Sequence, residues 1–169
     1  MRRVVITGLG VVAPNGIGKE AFWDACIKGI SAAEKITKFD VSKMTSQIAC
    51  EVRNFDPLAH GLTEYEAKYV DRHSQFALAT AIQAIADAQL DVRKVDKDRA
   101  GVYVGSTNSA GETFEGTWER LTNKGEVSLA GKPLPDEFYY GILANSSATN
   151  VAIHYGVKVP SAVISDACS

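Results

Sequence analysis

Residues 159–169 read VPSAVISDACS. An apolar run of Ala162, Val163 and Ile164 set between two serines after Pro160 is followed by an acid, a small residue and a cysteine. Four to six β-branched or small apolar residues bounded by Pro160 and Ser165 read as a short buried strand. A cysteine just beyond such a strand falls where the chain must turn sharply. The rest of the chain explains what that turn is for.

Working back from this strand, ILANSSATNVAIHYG (142–156) has helical spacing, a lining of small residues and a stop at Gly156. RAGVYVGS (99–106) reads as a central strand punctuated by Gly101 and Gly105. Residues 107–140 are polar and glycine-rich with one helical piece, ETFEGTWERL, and suit an excursion over a site or a neighbouring subunit. From Thr63 to Leu90 the period is helical, with Phe76, Ala79, Ile82 and Ala86 on one stripe. QIACEVR (47–53) alternates, which predicts a strand with Ile48, Cys50 and Val52 on its inner face. A helix is expected from Lys19 to about Lys28, stopping at Gly29, and Val4–Ile6 reads as a short buried strand. Strands alternating with helices define an α/β chain.

The totals exclude several classes of function. The chain has 169 residues, 46% of them hydrophobic and 22% charged. One domain of that size buries about 70% of its unfolded surface without staples. Lys and Arg number 18 against 20 Asp and Glu, a net charge of -2, which gives no reason to expect nucleic acid or a membrane surface as partner. No stretch is long enough to span a bilayer, and Thr7, Gly8 and Gly10 interrupt the N-terminal apolar run that a signal peptide would need. Three cysteines without a CxxC pair fit a reducing compartment, so a cytoplasmic location is expected.

Three features carry candidate chemistry. Gly8-Leu9-Gly10-Val11-Val12-Ala13 fits a dinucleotide fingerprint, but Pro14, Asn15, Gly16 and Gly18 follow where a helix N-terminus should meet a pyrophosphate, which favours a structural turn. Among the cysteines, Cys26 and Cys50 read as small core residues. Cys168 is either another such filler or a nucleophile whose thiolate a following helix N-terminus would favour. Asp166 beside it opposes that effect by raising the thiol pKa. His60, His73 and His154 show no metal-ligand spacing, so no metal is expected, and His154 and His73 read as satisfied or packing residues.

RRVVITGLGVVAPNGIG, KYVDRHSQFALATAIQAIADAQL, RAGVYVGS, ANSSATNVAIHYG and VPSAVISDACS together resemble, in order, the N-terminal half of the β-ketoacyl-acyl-carrier-protein synthases. These are condensing enzymes of the thiolase superfamily. The resemblance covers residues 1–169 and implies half of a thiolase-like α/β/α/β/α sandwich. It makes Cys168 the acyl-accepting nucleophile, Asn108 and Phe138 pocket-lining residues, and Lys68 and Arg72 basic residues for docking an acidic acyl carrier protein. No cofactor is implied for this chain, because the substrates ride on the phosphopantetheine of the carrier. The implied partners are that carrier, the C-terminal half of the same enzyme, and a second copy or a homologous ketosynthase-like chain-length subunit.

Thr107 and Asn108 stand where fatty-acid enzymes often place an apolar gate, and Val159 stands where relatives carry glycine. The polar gate favours a type II polyketide pathway, with a housekeeping fatty-acid elongating synthase, a non-catalytic partner or scaffold subunit, and a nicotinamide oxidoreductase as alternatives. The resemblance also implies that the 169-residue chain alone has no condensing activity, since the family draws its decarboxylating histidines from the other half. A radiolabelled malonyl-carrier assay of the isolated chain is expected to show no 3-oxoacyl product.

Overall fold

The computed structural model describes residues 3–107, 110–143 and 145–165. A two-residue hairpin, β1 (Val12–Ala13) and β2 (Gly16–Ile17), leads into helix α1 (Lys19–Ile27). An antiparallel pair follows, β3 (Ala33–Lys35) and β4 (Ile48–Cys50). Helices α2 (Glu64–Tyr69) and α3 (Arg72–Asp87) precede β5 (Val102–Gly105). An arm of two helices, α4 (Gly111–Thr122) and α5 (Asp136–Ile142), then leads to α6 (Ser146–His154) and β6 (Ser161–Ile164). β5 and β6 pair in parallel, Val102 opposite Ser161 through Gly105 opposite Ile164, so α6 is the crossover of a β-α-β unit.

Local chemistry explains the break inside the expected 63–90 helix. Thr63 and Glu66 form a reciprocal capping box that starts α2, and the Asp71 side chain accepts from the His73 N–H to start α3. The two caps are too close for one continuous helix. Gln75 seals the bend, its Nε2 donating to the carbonyls of Ala67 and Val70 at 3.0 and 2.9 Å, which α2 leaves unpaired.

The core forms where α3 crosses α6. Leu78 and Ala79 are fully buried, with Phe55, Leu62 and Val151 completing the cluster and Phe76, Ile82 and Val102 packed around it. The buried stripe of α3 is therefore centred on Leu78 rather than on the expected Phe76–Ala86 line. Ala86 is exposed, because α3 lies against α6 on one side and the N-terminal segment on another.

Several expectations are corrected. Residues 4–6 form no strand, and Val4 and Ile6 are 92% and 82% exposed. A strand needs a ladder partner, and the chain just after residues 4–6 is held by α3 instead: Leu9 donates to Asp87 Oδ2 and Val11 to Gln83 Oε1, both at 2.9 Å. The segment thus lies on α3 rather than in a sheet. A Cβ at Gly8 would sit 2.1 Å from the Ala84 carbonyl oxygen, and one at Gly10 2.0 Å from that of Thr80. These glycines serve backbone-to-helix contact, and a hairpin rather than a helix N-terminus follows them. Ile48 and Cys50 are exposed on β4, as is Cys26 on α1, where Ala25 is the buried residue. The β3–β4 pair has no layer packed over that face among the described residues.

The parallel pair is covered on one side only. Val102 and Val104 turn toward the helices, while Tyr103 and Ile164 are more than half exposed on the opposite face. Parallel sheets are normally covered on both faces. The chain exposes 11842 Å2, whereas a compact monomer of 18.1 kDa exposes about 8,000 Å2. No helix among the described residues is long and apolar enough to cross a membrane. Leu78→Ala, which empties the centre of the α3–α6 contact, is expected to cost about 2–5 kcal/mol in a urea denaturation series.

Candidate functional site at the C-terminal edge of the parallel pair

β5 and β6 end together. The Ser106 N–H donates to the Ile164 carbonyl at 2.9 Å, and Ser165 Oγ donates to the Thr107 carbonyl at 3.1 Å. This continues the pairing past the last ladder residues, three positions before Cys168. Cys168 and Asn108 lie outside the described residues, as does Asp166.

A polar junction ties the helix ends near residues 107–113. Asp71 is its centre, with a side chain only 4% exposed. Oδ1 accepts from the His73 N–H at 3.2 Å and faces His73 Nδ1. Oδ2 accepts from the Thr113 N–H at 3.1 Å and from the Thr113 hydroxyl. Thr113 is the third residue of α4, whose own N-cap is Ala110, a residue with no side chain to offer. One carboxylate therefore caps α3 from within and α4 from outside.

Burial pushes the Asp71 pKa up, but hydrogen bonds from His73 and Thr113 outweigh it and hold the carboxyl at about 2 against an ordinary 3.8. The proton of His73 belongs on Nδ1, because an ionised carboxylate is the stronger acceptor there. His73 Nε2 then accepts from Ser74 Oγ, 3.1 Å away. The Ala110 nitrogen lies 3.3 Å from the same Nδ1, with Ala110 buried and in the left-handed region at φ 59°. That peptide is held in a costly conformation, about 1–3 kcal/mol for a non-glycine residue, by the contacts around it.

The junction closes through α6 and α5. Ser74 Oγ lies 3.4 Å from Ser146 Oγ, and Ser146 Oγ lies 3.3 Å from the Gly141 carbonyl. A Cβ at Gly141 would sit 3.2 Å from the Thr113 methyl, so α5 rests directly on the residue that Asp71 holds. A second pair binds α6 to α2: Glu66 Oε1 lies 2.8 Å from His154 Nδ1, while its Oε2 receives the Thr63 N–H and hydroxyl. Burial raises the Glu66 pKa, yet these partners together bring it below the ordinary value.

The remaining sequence candidates fall in different places. Phe138 is buried on α5, its ring 6.0 Å from that of Phe114 on α4. The Arg72 guanidinium donates to the Val52 carbonyl at 2.9 Å and lies over the Phe76 and Phe55 rings at 5.0 and 5.6 Å. Lys68 is exposed on α2 with its ammonium 4.8 Å from the Tyr69 ring centre. The structure thus joins Asp71, His73, Thr113 and the residues that carry Phe138, and leaves Lys68 on a separate surface. Sequence reading missed Asp71 and Thr113; the Asp-x-His spacing of an N-cap was visible, but a partner 42 positions away was not. Among the described residues no group of three or more His, Cys, Asp or Glu is arranged to hold a metal ion.

A parallel β-α-β unit with helices on one face is an α/β arrangement, and its likeness to solved ketosynthases makes the fold thiolase-like. Residues 1–169 match the family model of the beta-ketoacyl synthase N-terminal domain, and the chain belongs to that family. It is 34% identical over 169 residues to 3-oxoacyl-[acyl-carrier-protein] synthase 2 of Staphylococcus aureus (strain COL), covering 99% of this chain and 39% of that one. It is also 34% identical to a putative polyketide beta-ketoacyl synthase 1 of Streptomyces halstedii, covering 99% and 40%. Among solved structures it resembles the ishigamide ketosynthase/chain length factor, with a TM-score of 0.79 at 27% identity over 97% of this chain and 40% of that one. The chain spans about two-fifths of the length of these relatives.

Because the folded-state pKa of Asp71 is depressed, its contribution to stability is present above about pH 4 and is lost as pH falls through about 2. The wild-type advantage over Asp71→Asn is expected to shrink by about 2 kcal/mol between pH 5 and pH 2. Urea unfolding of both proteins across that range measures it.

Proposed function

We propose that this chain supplies the acyl-accepting half of a β-ketoacyl-acyl-carrier-protein synthase. The Cys168 thiolate attacks the thioester of an acyl carrier, forming acyl-Cys168 and releasing the carrier thiol. Malonyl carrier then loses carbon dioxide, and the resulting carbanion attacks the acyl-Cys168 carbonyl. A carbon–carbon bond forms, the carbon–sulfur bond breaks and the cysteine thiolate is regenerated, leaving a 3-oxoacyl carrier thioester. The backbone N–H at the cysteine is the natural donor to the oxyanion of each tetrahedral intermediate. No cofactor takes part; both substrates ride on the carrier's phosphopantetheine.

The observation that carries this reading is the family match over residues 1–169, which runs through the strand–cysteine segment. The uncovered face of β5–β6 supports a second layer supplied by the C-terminal half, which brings the decarboxylating groups. Of the two basic docking candidates, Lys68 faces solvent, while the Arg72 guanidinium is engaged by Val52 and two rings. Both remain the docking candidates, with Lys68 the more exposed of the two. The polar Thr107-Asn108 pair favours a type II polyketide pathway, with a second copy or a chain-length subunit as partner. Equal identity to a fatty-acid and a polyketide relative keeps fatty-acid elongation as the second reading.

Two measurements test this in the complete enzyme. Incubation with acyl carrier is expected to add one acyl mass to the wild type and none to Cys168→Ala, read by intact mass spectrometry. Alkylation by iodoacetamide should favour Cys168 over Cys26 and Cys50. Labelling of the denatured enzyme as a control separates thiolate reactivity from access, since Cys26 and Cys50 are exposed in this chain. Only saturated or simple 3-oxoacyl products would remove the polyketide reading, and no acyl-enzyme in either protein would leave the non-catalytic partner.

A further inference from the structure

We infer that Asp71 is the positioning residue of the α4–α5 arm: by capping two helices at once it sets where α5 holds Phe138 against α4. The consequence for acyl chains rests on the condensing-enzyme reading, whereas the positioning itself rests on geometry alone.

Besides Asp71, the start of the arm is met by an exposed Lys38–Glu112 ion pair at 3.5 Å, which solvent screens, and by His73 at the Ala110 N–H. Ala110 offers no side-chain cap and sits in the left-handed region, with its N–H 3.3 Å from His73 Nδ1. The first turn of α4 is therefore held by the Asp71 oxygen that receives both the Thr113 N–H and its hydroxyl. The hold passes along two short paths. Thr113 meets α5 at Gly141, where an added Cβ would sit 3.2 Å from the Thr113 methyl, so the two helices are in close contact there. Phe114, the next residue of α4, faces Phe138 on α5. His73, Ser74 and Ser146 return the connection to α6, so the same carboxylate that starts α3 fixes the arm against both core helices. A shift of α4 by even a fraction of an ångström moves Phe138 with it, because packed helices transmit displacement.

The variant Asp71→Asn separates the two caps. Asparagine caps a helix from within as well as aspartate does, so α3 keeps its start. Its amide presents N–H groups to Thr113 where an acceptor oxygen stood, so α4 loses its outside cap. In the complete enzyme, amide hydrogen exchange is expected to quicken about tenfold or more across residues 111–117 and 136–142, with little change across residues 76–87. Thr113→Val, which removes only the hydroxyl contact, should give the same pattern more weakly. Asp71→Asn should also raise KM for long acyl donors relative to the shortest one, while kcat for the shortest donor stays near wild type. A general loss of fold would instead lower kcat for every donor.

Unchanged exchange in 111–117 and 136–142 overturns the inference. Faster exchange there with an unaltered ratio of KM values confines Asp71 to holding the helices and overturns its bearing on Phe138. If the wild type makes no 3-oxoacyl product, the functional reading fails by itself, and the exchange pattern still decides whether Asp71 positions the arm.

Discussion

A single ionised carboxylate organises the upper end of this molecule. Asp71 is nearly buried, which ordinarily disfavours its charge, and it stays charged because donors from two helices converge on it. The two oxygens act separately, one beginning α3 within the chain and the other ending the exposed N–H row of α4. Removing such a group leaves several buried donors without acceptors, and that is the costly side of any hydrogen bond. The arrangement therefore acts as a unit, and α3, α4, α5 and α6 meet around it.

The lower part of the fold follows from apolar burial where α3 crosses α6, and from the glycines that let the N-terminal segment lie flat on α3. What the fold does not achieve is closure. The outer face of β5–β6, the strip around Val4–Ile6 and the exposed β3–β4 pair keep large apolar side chains in water. These surfaces have the character of internal faces of a larger α/β assembly, matching the two-fifths coverage of the relatives. The candidate catalytic edge and the open face belong to the same strand pair, so completing the layer and completing the chemistry are one structural event in the function proposed.

The sequence by itself determined the α/β character and several of the elements, for physical reasons confined to short stretches. A glycine stop and an apolar run bounded by proline each act within a few residues, so α1, β5, α6 and β6 were legible, and so was the resemblance that singled out Cys168. Only the tertiary structure decided which faces those elements present. Cys26, Cys50 and Ile48 carry core-like identities yet lie exposed, because burial depends on whether another layer arrives. Val4–Ile6 reads as a strand, but its neighbouring backbone N–H groups found acceptors on α3 instead of a ladder. Asp71 was not singled out by the sequence; its role across two helices depends on Thr113, 42 residues along the chain, and a carboxylate's partners across such a gap are set by packing rather than by spacing.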